Sequence, residues 1–178
     1  MKNYSGFTLA EVLITLGIIG VVAALTMPSV INNYKEKETI AKLKKTYSVL
    51  SQAYITASNK YGSPDEWTWS PQKYPVPQTL AGYLIENLKV VKVCDNGSCF
   101  PDVMYTRLNG TKHLNYSREG SNFASFVLND GTLFLFWSAG SCSASHKTCG
   151  FIYVDINGKY PPNQWGRDMF GFVLTPSS

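Results

Sequence analysis

The signatures of the common nucleotide, metal and acyl-transfer enzymes are missing. There is no phosphate-binding loop, no dinucleotide fingerprint, no HExxH and no GxSxG elbow. Ser141, Ser143 and His146 stand close together in GSCSASHKTCG, but no acidic residue in that loop could orient the imidazole. A tethered hydrolase built on Ser143 and His146 would need a cleft that brings a carboxylate to them. The two histidines, His113 and His146, fit no ligand pattern. The net charge of +4 is mild, the lysines are scattered, and no arginine-rich run occurs, so nucleic acid is not the default partner. No internal repeat or low-complexity tract is present. The expectation is a protein that is not an enzyme.

What is present is one long apolar run, Phe7–Met27, FTLAEVLITLGIIGVVAALTM. As a helix it rises about 31 Å, close to the ~30 Å hydrocarbon core of a bilayer. Its one ionisable group is Glu11. A carboxylate at mid-bilayer costs about 3 kcal/mol on insertion scales. Glu11 sits about 6 Å along the helix from Phe7, so it can snorkel to the interface, where a helix N-terminus favours negative charge. The alternative is a partner cation inside an assembly. Gly17 and Gly20 could let helices approach closely in lipid, although their spacing is not GxxxG.

Met1–Gly6, MKNYSG, is too short for a conventional secretory leader, and its small residue precedes the apolar run rather than following it. Cutting after Gly6 would leave the rod on the mature chain. Gly6 to Glu11, G-F-T-L-A-E, resembles the prepilin processing motif of type IV pilins and type II secretion pseudopilins. The following VLITLGIIGVVAALTMPSVI and the proline at Pro28 resemble the same family, over roughly the first 60 residues. The resemblance implies cleavage between Gly6 and Phe7 by a prepilin peptidase and N-methylation of the new terminus on Phe7. It also implies an inner-membrane assembly platform, a separate cytoplasmic ATPase and identical or related subunits in a filament. The protonated amine of a neighbour's Phe7 would then serve as partner to Glu11 and fix the axial register. A membrane-anchored exported binding module, an adhesin or DNA-uptake pilin, is the competing reading; it predicts an exposed aromatic or basic patch.

Beyond Pro28 the chain turns polar, with apolar positions at Ile40, Leu43, Tyr47, Leu50, Tyr54, Ala57 and Tyr61. Steps of three and four predict a helix packed on a core. A kink or local melt is expected at Pro28. The expected organisation is a leader over 1–6, a membrane helix over 7–27, an amphipathic helix over 28–61 and a globular domain over 62–178. Lys35, Lys37, Lys42, Lys44 and Lys45 would place that domain in the cytoplasm by the positive-inside rule. The cysteines and the processing motif argue for the extracytoplasmic side instead.

In the remainder, the prolines of Gly62–Gln78 predict a loop, in which Trp67 and Trp69 either cover a core or form a binding edge. Thr79–Leu88 reads as a helix, and Lys89–Val93, Val103–Leu108, Phe151–Ile156 and Phe170–Leu174 read as strands. Asn129-Asp130-Gly131 between two apolar runs predicts a hairpin. The sum is an α+β arrangement, a long N-terminal helix on an antiparallel sheet of four to six strands. Cys94, Cys99, Cys142 and Cys149 form two local pairs, which read as disulfides in an exported domain, with zinc the competing reading. Three connectivities are open; adjacent pairing is the simplest, with Cys94–Cys99 stapling a hairpin at Asn96-Gly97. Asp155, Asn157 and Asp168 offer hard oxygen ligands for calcium, as major pseudopilins use in a C-terminal loop. Turn chemistry explains the same residues without a metal.

Overall fold

The computed structural model describes residues 6, 8–67, 80–118, 123–138, 142 and 148–175, with the backbone alone at Leu80 and Asp95. By its internal contacts the chain divides into two compact units, Met1–Ala41 and Lys42–Ser178. One helix, α1 (Leu9–Tyr61), begins in the first and ends in the second.

The second unit is α+β. Its sheet is a five-stranded antiparallel meander, β1 (Val90–Asp95), β2 (Phe123–Leu128), β3 (Leu133–Ser138), β4 (Gly150–Asp155) and β5 (Met169–Leu174), in that spatial order. The β2–β3 hairpin turns at the expected Asn129-Asp130-Gly131, where Gly131 takes a positive φ of 85° and Leu128 N donates to Thr132 O. Both faces of the sheet are covered, so its central strand β3 reads LFLFWS rather than as a clean alternation. On one face Phe126, Phe134, Phe136, Ile152 and Val154 pack with Leu50, Ala53 and Ala57 of α1 and with Leu84 of α2 (Leu80–Ile85). On the other, Leu133, Leu135 and Met169 meet Phe100, Tyr105 and Tyr116 from the connection after β1.

Several local expectations are corrected. Of the expected stripe, Leu50 and Ala57 are buried and Tyr54 and Tyr61 pack against the core, but Ile40 and Tyr47 stay 44% and 61% exposed and Thr46 and Ala53 join the buried face. The buried face is shifted toward Thr46 and Ala53, where small side chains let the helix approach the sheet. The bulky Tyr47 lies at the margin, its ring 6.1 Å from that of Phe172. The second helix is shorter than Thr79–Leu88 and gives way after Ile85 to a turn closed by Asn87 N to Leu84 O and Leu88 N to Ile85 O. Val103–Leu108 is not a strand. It joins neighbours only through single bridges, Thr106 to Lys112 and Thr106 to Gln164, because Tyr105 turns inward to the buried end of β4.

The disulfides pair adjacently, Cys94–Cys99 and Cys142–Cys149, with Cα separations of 5.4 and 4.5 Å. No described cysteine is free, so the zinc reading falls. The first bridge does not staple a hairpin: Cys94 pairs across to Ser125 of β2, and the bridge closes a turn at the end of β1. Gly97 in that turn runs against the chain, where a Cβ would lie 1.6 Å from the Tyr116 carbonyl oxygen.

Candidate assembly site

The start of α1 fixes Glu11. Thr8 stands just before the helix, and its amide and hydroxyl both donate to Glu11 Oε2, each at 2.8 Å. The Glu11 amide answers by donating to Thr8 Oγ1 at 3.3 Å. This reciprocal pairing is a capping box, which satisfies amides that the first turn leaves without helical partners. The sequence reading missed it, although T-x-x-E ahead of an apolar run is its signature. Gly6 is exposed, with nothing within 4 Å of where a Cβ would be. Phe7, the expected methylation position, lies outside the described residues.

From Leu9 to Ile31 the large apolar side chains of α1 face outward, as at Leu9 (80% exposed) and Leu25 (75%). By length and composition α1 is apolar enough to cross a membrane. Its hydroxyls are turned back on the backbone: Thr15 Oγ1 donates to Val12 O and Thr26 Oγ1 to Val22 O, both at 2.9 Å. The rod therefore shows lipid or a neighbouring helix a nearly continuous apolar surface. Positions Gly17 and Gly20 have open space around them, and Pro28 lies inside the helix.

The calcium candidates come together at the far end of β4. Asp155 is fully buried. Its Oδ2 accepts the Tyr105 hydroxyl at 2.6 Å and its Oδ1 the Asn157 amide at 3.1 Å. Burial, with the charge of Asp168 adding to it, pushes Asp155 up to about 7, against the opposing Tyr105 hydrogen bond. Burial and Asp155 raise Tyr105 far above the ordinary phenol range, so it remains a donor. Asp168, 2% exposed, accepts the amides of Asn163 and Gln164 and closes their turn. Asn157 Oδ1 and Asn163 Oδ1 are buried without a hydrogen-bond partner. Among the described residues no group of three His, Cys, Asp or Glu could hold a metal ion. Two carboxylates with two unpartnered amide oxygens nevertheless fit the all-oxygen chemistry of calcium.

Ser141, Ser143 and His146, like Trp69, lie outside the described residues. Trp67 is buried, with its Nε1 donating to Gly62 O, so it covers the core rather than forming an edge. His113 packs against Tyr116 and Trp165, and burial, then the nearby Arg107, lowers its pKa.

Residues 1–27 match the prokaryotic N-terminal methylation motif. That motif is the signature of type IV pilins and pseudopilins, a structural rather than catalytic group, and implies prepilin peptidase processing and assembly into a filament. Residues 29–178 match a family of unknown function, DUF6613. No curated protein and no solved structure matches the chain. An apolar rod bearing the methylation motif, followed by a sheet domain that fills the second match, makes this chain a member of the DUF6613 family and a pilin-like or pseudopilin subunit.

Proposed function

We propose that the protein is a structural subunit, a pseudopilin or minor pilin, of a type II secretion or type IV pilus-like filament. The supporting observation is the outward-facing apolar start of α1, capped at Glu11 and carrying the methylation motif. A prepilin peptidase cuts between Gly6 and Phe7 and the new Phe7 terminus is N-methylated. The rod waits in the inner membrane as a single span, with the disulfide-bonded domain on the extracytoplasmic side. Assembly exchanges lipid contacts for helix–helix packing and brings the ammonium of a neighbour's Phe7 to Glu11. The mechanical work comes from a separate ATPase on the assembly platform.

Mass spectrometry of the mature protein tests the first step: a chain that begins at methylated Phe7 is expected, and one retaining Met1 or lacking the whole rod sinks the reading. Glu11→Ala is expected to reach the membrane but give few filaments; a wild-type filament yield from it would remove the proposed pairing. Asp155, Asn157 and Asp168, with Asn163, would hold calcium at the end of β4, a structural ion that tethers the β4–β5 connection. The two unpartnered buried amide oxygens favour this second reading. A Tm that rises with calcium and falls with chelator is expected; an unchanged Tm would discard it.

A further inference from the structure

The acceptor pattern for N-linked sugar, Asn-x-Ser/Thr with any residue but proline between, occurs four times in the sequence. Asn3-Tyr4-Ser5 lies ahead of Gly6, and Asn96-Gly97-Ser98, Asn109-Gly110-Thr111 and Asn115-Tyr116-Ser117 all fall between β1 and β2. Two of these three are closed by the fold. Gly97 is buried, with the Tyr116 carbonyl where its Cβ would be, and Asn96 Oδ1 is buried too. Asn115 Nδ2 is spent on Asp102 Oδ1, to which it donates at 2.6 Å, and Tyr116 in the middle of that pattern is fully buried. Asn109 is presented instead. Residues 105–114 double back: Tyr105 N donates to Leu114 O, His113 N to Tyr105 O and Arg107 N to Thr111 O, and Gly110 N closes the tip on Arg107 O. Leu108, Asn109, Gly110 and Thr111 at that tip are all exposed, and nothing lies within 4 Å of where a Gly110 Cβ would be. Asn109 Oδ1 accepts the Thr111 amide at 3.1 Å and the Thr111 hydroxyl at 2.8 Å. Its Nδ2 has no partner among the described residues.

We propose that Asn109 is a glycosylation site, which takes a glycan from a lipid diphosphate donor. In that transfer Nδ2 bonds to C1 of the first sugar, the C1–O bond to the diphosphate breaks, and the lipid diphosphate leaves with the electron pair. The Nδ2 proton passes to a base of the transferase, a separate enzyme. A carboxamide nitrogen is a weak nucleophile because its lone pair is shared with the carbonyl. Two donors on Oδ1 steady the negative charge that builds there as the proton leaves. The Thr111 hydroxyl is therefore a positioning group with a chemical part beyond the turn it closes. The attached sugar covers Leu108, 68% exposed beside Gly166, with a hydrated layer. The site rests on the filament-subunit reading in one respect, the extracytoplasmic side of the domain, because this pattern is used in exported proteins.

The test is mass spectrometry of the mature protein isolated from its native cells, read at the amino terminus and at the tryptic peptide Leu108–Lys112. A glycan mass on Leu108–Lys112, placed on Asn109 by fragmentation, is expected, with Asn96 and Asn115 bare. Asn109→Gln and Thr111→Ala, which keeps the asparagine, are each expected to lose the glycan. Thr111→Ser is expected to retain it. The proposal is overturned if Asn109 is bare in the wild type, if its only change is hydrolysis to aspartate, or if Thr111→Ala is glycosylated as fully as the wild type. A glycan on Asn96 or Asn115 in its place would equally overturn it. A bare Asn109 behind a methylated Phe7 terminus removes the site and leaves the filament reading standing, whereas a bare Asn109 in a chain that keeps Met1 removes both. A glycosylated Asn109 in a chain that keeps Met1 upholds the site and sinks the processing step alone.

Discussion

Two stretches of α1 share one secondary structure and are held in different ways. Over Lys42–Tyr61 the helix buries Thr46, Leu50, Ala53 and Ala57 against a core supplied by the sheet. Over Leu9–Ile31 its large apolar side chains are exposed among the described residues. Helices in water draw most of their stability from such burial, so the first stretch needs lipid or neighbouring rods to supply what the sheet supplies to the second. A single helix can thus carry a folding element and an assembly element, with Pro28, which has no N–H to donate, as the one interruption of its hydrogen bonding that the sequence imposes between them. The difference lies in what each surface meets.

The largest test of that contrast compares Phe126→Ala with Leu16→Ala. Phe126 is fully buried beneath α1, and its truncation is expected to cost about 3–5 kcal/mol of domain stability. Leu16→Ala should leave the domain's unfolding midpoint unchanged in detergent. Equal losses in denaturant melts would erase the distinction between the two stretches.

A middle-sized effect probes the domain alone. Replacing Cys94 and Cys99 together by serine opens a loop of sequence separation 5. The chain-entropy estimate for so short a loop is about 2 kcal/mol. Denaturant melts of the double variant should show this loss, whereas membrane insertion of the rod should be unaffected. A variant that inserts poorly would mean that the two elements are coupled.

A third test is a pH slope. Asp155 has a folded pKa near 7, above its unfolded value of about 3.9. With chelator present, the native state holds more protons than the unfolded chain between those values. Stability should therefore decline as pH rises from about 4 to 7 and then level off. Asp155→Asn should flatten that decline. Calcium at the same carboxylates would oppose it by favouring the ionised form, and a slope indifferent to both changes would dismiss this account of the β4 end.

The parts legible from letters alone are those fixed locally. Asn129-Asp130-Gly131 announces its turn because few residues accept the required φ, and G-F-T-L-A-E announces its processing because a peptidase reads a short string. The five antiparallel strands follow from turn signals between apolar runs. What stayed hidden depends on distant partners. Tyr105 leaves its apparent strand because Asp155, fifty residues on in sequence, needs a donor. The buried helix face shifted because Thr46 and Ala53 do not look hydrophobic enough to count, yet small size was what the helix–sheet contact required. The capping box was different: its letters were present and simply not read.

That capping box has a consequence for recognition. Because Thr8 holds Oε2 from two directions, the side-chain torsions of Glu11 are chosen by its own chain, and Oε1 has no partner among the described residues. A cation arriving there would meet a preorganised acid and would not have to freeze a free rotor on docking. Thr8→Val, which keeps the shape and removes the hydroxyl, would leave the Thr8 amide as the one remaining hold on Oε2, loosen that rotor and slow the locking of each subunit without unfolding its domain.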